Sequence, residues 1–359
     1  MTQLNSTSPI HSLNASHQNS ISVNKTELNS NAENELPIDM QFNDGHLLAV
    51  VVYSFLMVIS AVGNISVFST ILRLRLQGKL SQINLFLFHL AIADLLVTFL
   101  MMPLEIAWNI TVSWQANDMM CRIMSFFRIF GLYLSGFVLV CISLDRYLSV
   151  MKPLTSPDTQ RIRGRLMLLV AWITSIIVSL PQAFIFHVES HPHFTWYKQC
   201  ITFNSFPSVT AEKLYNFSGF FFLYVFPMIM IIFCYSCILL EMTRVNARMK
   251  SDETFRRSNI GALGRAKIRT LQMSVIIVAA FFFCWTPYNV MSLWYWIDKE
   301  SALAVDQRIQ KGFFIFACTN SCVNPIIYGL FHFRSKKPKR RVEQTNLTET
   351  SCLGTFSFG

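Results

Sequence analysis

Three residues, Asp145-Arg146-Tyr147, interrupt a stretch that carries no charge over residues 129–144 and turns apolar again after Tyr147. An arginine beside a carboxylate at the edge of an apolar run has two readings. It is a structural salt bridge at the wet end of a buried helix, or a charge-assisted contact that breaks and reforms, strong while dry and worth little once water reaches it. Other polar residues sit inside apolar runs: Asn64, Asp94, Asn320, Ser321 and Asn324 in one group, Glu105 and Arg128 in another. A lone carboxylate such as Asp94 is costly there unless it finds a cation or hydrogen bonds. It is either a neutral carboxyl that knits helices together or a site that exchanges a sodium ion or a proton. The nine Cys show no metal-type spacing. No Gly-rich phosphate loop, nucleophile elbow or metal-ligand helix motif appears. The chemistry is therefore binding and switching, not catalysis, with no cofactor implied.

The elements that must position these groups follow from composition. The chain has 359 residues, 52% hydrophobic and 14% charged, with 32 Phe, too apolar for an ordinary soluble domain. A hydrocarbon core roughly 30 Å thick needs about 20 apolar residues per helix. Residues 47–72, 166–186, 214–240, 270–297 and 312–333 are wholly uncharged, and 80–104 and 123–144 hold one charge each, Asp94 and Arg128. Seven spans result. Buried helices of a soluble core would show polar faces at a 3.6 period, and these runs have none. Prolines break the sixth span in Cys284-Trp285-Thr286-Pro287-Tyr288 and the seventh in Asn324-Pro325-Ile326-Ile327-Tyr328.

Orientation is read from basic residues. With the N-terminus outside, the cytoplasmic segments hold 22 of the 30 Lys and Arg, as the positive-inside rule requires. The net charge of +10 is then a topology signal and a contact with anionic lipid, not a sign of nucleic acid. The domains are a disordered extracellular tail over residues 1–46, with glycosylation acceptors at Asn5, Asn14 and Asn24, a seven-helix domain over 47–333, and a cytoplasmic tail over 334–359. Under this topology only Cys121 and Cys200 face outside, which makes them a disulfide candidate. Cys352 in the tail is either palmitoylated or an idle thiol.

Taken in order, these motifs resemble a rhodopsin-like (class A) G-protein-coupled receptor. The residues that carry the resemblance are Gly63-Asn64, Leu90-Ala91-Ile92-Ala93-Asp94, Trp114 with Cys121, Asp145-Arg146-Tyr147, Trp172, Pro227 with Tyr235, Cys284-Trp285-Thr286-Pro287 and Asn324-Pro325-Ile326-Ile327-Tyr328. The resemblance implies an all-α bundle in the plasma membrane. It also implies an activation switch made of Asp94, Asp145, Arg146, Tyr147, Tyr235, Phe281, Trp285, Pro287, Asn320, Asn324, Pro325 and Tyr328. In such receptors Arg146 leaves Asp145 on activation to meet a heterotrimeric G protein, supported by Tyr235 and Tyr328. The sequence departs from many relatives at Arg265-Ala266-Lys267-Ile268-Arg269, which is basic where they carry an acid that locks Arg146. A short amphipathic helix is expected after the seventh span, from Phe331-His332-Phe333-Arg334 onward. Thr345, Thr348, Thr350, Ser351, Thr355 and Ser357 are candidate phosphorylation sites for arrestin binding.

Arg128 stands where aminergic receptors carry an aspartate, which excludes an amine ligand. Glu105, Trp108, Asn109, Arg128 and Tyr295 resemble the set with which receptors for gonadotropin-releasing hormone hold their peptide. The stretches His191-Pro192 through Tyr197-Lys198-Gln199-Cys200-Ile201-Thr202-Phe203-Asn204, Trp294-Tyr295-Trp296 and Phe316-Ala317-Cys318-Thr319-Asn320-Ser321-Cys322 resemble the invertebrate branch of that superfamily. That branch contains the receptors for adipokinetic hormone, for the adipokinetic hormone/corazonin-related peptide and for corazonin. Gln199, Tyr288, Asn289, Ser292 and Trp296 complete the expected peptide cavity; Trp294 and Trp296 also fit an aromatic belt at the membrane interface. Glu105 and Arg128 alone would make a plain ion pair. Two other classes are set aside: a transporter lacks its internal repeat, and a retinal sensor lacks a lysine in residues 312–333.

Overall fold

The computed structural model describes residues 40–251, 262–298, 301–302, 305 and 307–333. Seven of its helices are long and apolar enough to cross a membrane: α1 Asp44–Leu76, α2 Gln82–Thr111, α3 Asp118–Met151, α4 Pro157–Ile185, α5 Val209–Arg244, α6 Thr270–Ile297 and α7 Arg308–Phe331. Helix α1 begins three residues before the expected start at Leu47. The acceptors Asn5, Asn14 and Asn24, the tail over 334–359 and its phosphorylation candidates lie outside the described residues.

Helix starts are written locally. Asn43, Ser81, Asn117, Ser156 and Ser208 each accept a backbone N–H from the first turn of α1 to α5 in order, which satisfies a donor that the helix itself leaves orphaned. What the helices bury is set by position in the bundle. Every residue over 130–143 of α3 is buried, so α3 is the axis. Outward faces are apolar too: Phe55, Val62, Ile177 and Phe283 are all more than 60% exposed, a surface suited to lipid and hostile to water.

Five prolines lie inside the spans, Pro103, Pro181, Pro227, Pro287 and Pro325, where the sequence reading placed breaks only at the last two. Pro103 and Pro227 each follow a π-turn, Val97–Met101 and Phe221–Val225, in which Met102 N and Phe226 N donate five residues back. The widened turn absorbs the donor that the next residue lacks. Pro325 is handled differently. Its ring removes the bond to the carbonyl four residues earlier, that of Ser321. This oxygen accepts instead from Asn64 Nδ2 at 2.9 Å and from Ser60 Oγ at 3.4 Å. A Cβ on Gly63 would lie 2.7 Å from Pro325 Cγ, so α1 comes this close only because residue 63 has no side chain. One turn earlier α7 is interrupted at Thr319, whose Oγ1 donates to Phe316 O at 2.6 Å. Phe331 to Phe333 continue this last helix, and the remainder of the expected amphipathic helix is not among the described residues.

Between α4 and α5 lies an antiparallel hairpin that the sequence reading left as a loop, β1 His187–Ser190 and β2 Lys198–Ile201, with Val188 opposite Cys200. Cys200 is bonded to Cys121 at the start of α3, Val188 N donates to Asp118 Oδ1 at 2.8 Å, and Trp114 N donates to Lys198 O at 2.7 Å. The hairpin is thus fixed across one end of the bundle.

Asn64→Leu keeps the volume but leaves the Ser321 carbonyl short of its main donor. It is expected to destabilise the solubilised protein by about 1–3 kcal/mol, read as a lower Tm; an unchanged Tm would mean that Ser60 alone suffices.

Candidate functional site

At the hairpin end, α2 and α3 bring Glu105 and Arg128 into a direct ion pair whose side chains are 8% and 11% exposed. A buried pair of this kind does little for net stability, because desolvation of both charges offsets their attraction. Its surroundings are aromatic. The Arg128 guanidinium lies 5.5 Å from the centroid of the Trp108 ring and 5.7 Å from that of Phe314, within cation–π range. Trp108 Nε1 donates to Gln199 Oε1 at 2.8 Å, and Gln199 Nε2 donates to Val112 O at 2.8 Å. Val112 is left-handed, with φ 58°, and ends α2. Gln199 on β2 therefore ties the hairpin to the aromatic wall of the ion pair.

The other expected cavity residues divide. Tyr288 is buried, packs on Phe314 at 5.3 Å and lies within electrostatic reach of Arg128. Asn109 donates to Glu105 O at 2.8 Å, Asn289 to Trp285 O at 2.8 Å and Ser292 to Tyr288 O at 3.0 Å. All three bonds stay within the residue's own helix. Trp296 packs edge-on against Phe220 at 5.4 Å, toward α5, and Tyr295 is half-buried beside it. Trp294 is 40% exposed, in keeping with an interfacial belt. Three residues next to the ion pair escaped the sequence reading. Tyr53 on α1 and Cys318 on α7 are both buried close to Glu105 and Arg128, and Phe314 supplies the second ring. Each looks like an ordinary apolar helix residue in one dimension, so no sequence signal marks it.

A polar layer crosses the middle of the bundle. Asp94 is fully buried; Asn324 Nδ2 donates to its Oδ2 at 2.9 Å, and Ser135 Oγ to its Oδ1 at 3.4 Å. Ser321 lies close by. Thr98 Oγ1 bonds to Asp94 O at 2.6 Å and shares a 2.6 Å contact with Ser60, which leads on to Asn64. Asn320 is buried beside this layer. Asp94, Ser135, Ser321 and Asn324 form an oxygen-rich donor set of the kind that suits a hard cation such as sodium. Above the layer Phe281 and Trp285, both fully buried, pack at 6.2 Å between ring centroids, one turn before Pro287.

At the far end Arg146 bonds to Asp145, which is 1% exposed. Arg163 on α4, absent from the sequence reading, reaches the other carboxylate oxygen at 4.0 Å, so one acid faces two guanidinium groups. Tyr147 points elsewhere and packs against Phe233 at 5.8 Å. Tyr235 lies near Ser143, Ser274 and Arg146, and Tyr328 is buried on α7. The side chains of Arg265, Lys267 and Arg269 lie outside the described residues.

Glu105→Gln leaves Arg128 a buried cation without its counter-charge. It is expected to cost about 3–5 kcal/mol, and Glu105→Gln with Arg128→Gln should recover most of the loss. Thermal unfolding of the three variants checks this, and equal losses in single and double variants would show that packing, not charge, dominates.

Residues 63–328 match the family model described as 7 transmembrane receptor (rhodopsin family). The chain is 39% identical over 279 residues to the gonadotropin-releasing hormone II receptor of Clarias gariepinus, covering 77% of this chain and 73% of that one. It is 38% identical over 257 residues to the gonadotropin-releasing hormone receptor of Sus scrofa, covering 70% of this chain and 78% of that one. With seven spans, a hairpin held by Cys121 and Cys200 and a buried Asp145–Arg146 pair already in place, the chain belongs to the rhodopsin family of seven-transmembrane receptors, in the group of the gonadotropin-releasing hormone receptors.

Proposed function

We propose that this receptor binds a short amidated peptide of the adipokinetic hormone type at the Glu105–Arg128 site and activates a heterotrimeric G protein, through Gq and calcium, Gs and cyclic AMP, or both. The hairpin end faces outside and the Asp145–Arg146 end faces the cytoplasm, with arrestin binding the phosphorylated tail. The observation that carries the reading is the buried, aromatic-walled ion pair beneath the hairpin.

Its charge balance speaks to the ligand. Glu105 already neutralises Arg128, so a ligand carboxylate must displace Glu105 and leave it without its cation. A neutral amide carbonyl can instead use the guanidinium donors left over, since arginine has five N–H groups. The site therefore favours a peptide with blocked ends, as a pyroglutamate start and an amidated end provide. Trp108, Tyr288 and Phe314 offer flat surfaces for its aromatic side chains. A peptide of the gonadotropin-releasing hormone type is the second reading. The identity of 38–39% to receptors of that name favours it, and the adipokinetic hormone/corazonin-related peptide and corazonin belong to the same set.

Switching is proposed to turn on Asp145. Two guanidinium groups compete for it, Arg146 and Arg163, so release of Arg146 leaves the carboxylate with a cation still at hand. That lowers the cost of letting Arg146 go.

Cells expressing the chain, challenged with adipokinetic, corazonin-related, corazonin and gonadotropin-releasing peptides, should give a calcium or cyclic AMP response to one class. Arg128→Ala at matched surface expression should lower its potency by roughly 30-fold or more. Silence to the whole panel would refute the ligand class, while an unaltered potency in the variant would refute the site. Asp145→Asn is expected to raise signalling without ligand severalfold over a matched-expression control; unchanged basal signalling would show that packing rather than this pair holds the resting state.

A further inference from the structure

One histidine outside the peptide cavity is engaged at both ring nitrogens. His187 opens β1, with its side chain 28% exposed. Its Nδ1 lies 3.2 Å from Ser205 Oγ, in the turn before α5, and its Nε2 lies 3.2 Å from Glu189 Oε2. We propose that His187 is a positioning residue for the peptide site. With a proton on each nitrogen it clasps β1 to the turn before α5, and loss of one proton loosens the hairpin. The proposal rests on the proposed peptide site beneath the hairpin.

Both protons follow from counting donors. Ser205 has one hydroxyl proton, and it goes to the carbonyl of Ile185, the last residue of α4. Turned toward His187 instead, it would leave the Ser205 and Ile185 oxygens facing each other with nothing between them. Ser205 Oγ therefore accepts, and Nδ1 must donate to it. The Glu189 carboxylate also accepts, so Nε2 must donate as well. A neutral imidazole has one N–H and can serve only one of these acceptors, whereas the imidazolium serves both.

The charges around the ring come from several elements. From α3, Asp118 Oδ1 accepts from the N–H of Val188, the residue between His187 and Glu189, and Asp118 is paired with Arg122. On β2 Ile201 stands opposite His187, and Lys198 opposite Ser190 at the far end. Glu212 and Lys213 lie in the first turns of α5, and α4 carries no charge over residues 166–185. The set of Glu189, Asp118 and Arg122 becomes neutral when the ring is charged. Antiparallel pairing places His187, Glu189, Gln199 and Ile201 on one face of the hairpin. Gln199 is the residue that holds Trp108, and Trp108 lies against Arg128. The disulfide anchors β2 through Cys200, and the clasp together with Asp118 anchors β1. Firm placement of the aromatic wall is thus present while His187 holds both protons. It is lost as pH rises through the histidine range, about pH 5 to 8.

The test uses the full receptor in nanodiscs, without ligand, and amide hydrogen exchange at about pH 6 and about pH 8, corrected for the intrinsic rate. Wild type should lose protection over residues 187–205 at the higher pH, and His187→Gln should show no such change. Binding of an adipokinetic peptide and of a gonadotropin-releasing peptide is measured over the same range. Affinity for the peptide that binds should fall roughly three- to fivefold in wild type and stay level in His187→Gln. Both proteins meet the same peptide, so titration of the peptide itself cancels. Ser205→Ala removes the acceptor at Nδ1 and should flatten the profile with His187 in place, which keeps the test decisive if His187→Gln folds poorly. His193→Gln, at the exposed tip of the hairpin, should keep the wild-type profile. A wild type indifferent to pH overturns the inference, and so does a pH profile that survives both His187→Gln and Ser205→Ala. Exchange that depends on His187 beside an affinity that does not makes the clasp merely structural and overturns the positioning role. If neither peptide binds at either pH, the ligand reading fails by itself, and the exchange profile still decides the clasp.

Discussion

Within a hydrocarbon layer a backbone carbonyl that loses its helical donor must find another inside the protein, because no water is there to help. Pro325 creates such a carbonyl at Ser321, and much of the bundle is arranged around answering it. Asn64 supplies the donor, which obliges α1 to lie against α7. The approach is close enough that residue 63 must be glycine. Asn64 is itself fixed by Ser60, Ser60 by Thr98, and Thr98 by the carbonyl of Asp94. The side chain of Asp94 then returns to α7 through Asn324, next to the proline where the chain of bonds began. Helices α1, α2 and α7 are thereby closed into a ring, with α3 joined through Ser135.

Helix α3 runs through all the polar sites. Arg128, Ser135 and Asp145 belong respectively to the ion pair, the central layer and the far ion pair. Seventeen residues separate the first from the last, about 25 Å of helix. Shared residence on one rigid, wholly buried element places the groups but does not by itself couple them. Coupling needs an element with two arrangements, and α3, packed on every side over 130–143, is the least suited to provide it.

Fold and site differed in how much of them the residues announced. The seven spans, the prolines of α6 and α7, the Asp145–Arg146 pair and the disulfide were all legible, because charge gaps, proline and cysteine placement are properties of the linear chain. Glu105 and Arg128 were legible for the same reason, as charges that had to be explained in an apolar setting. The hairpin was not, since strands of four residues carry too short a pattern to separate from loop. The π-turns before Pro103 and Pro227 were not either, since nothing in composition tells a widened turn from a regular one. Arg163, Tyr53 and Phe314 were invisible as site residues because their roles come only from helix-to-helix distance. Arg163 is eighteen residues from Asp145 in sequence and 4.0 Å away in space.

The part of the bundle best suited to rearrange is the stretch of α7 from Thr319 to Pro325. Its backbone ladder is broken twice within seven residues, once at Thr319 and once where Pro325 offers no N–H. At Ser321 O the missing bond is replaced by the side chain of Asn64, while Phe316 O accepts from both the backbone N and the Oγ1 of Thr319. Elsewhere in a membrane helix a change of direction strands donors and acceptors in hydrocarbon, at several kcal/mol for each group. Here the Ser321 carbonyl already depends on rotatable side chains, Asn64 and Ser60, which can follow the backbone if it shifts. Asn324 lies inside the same stretch and donates to Asp94. A shift of α7 must therefore re-solvate or re-pair that carboxylate. The twice-broken stretch and the buried acid are thus joined directly, through the bond from Asn324 to Asp94.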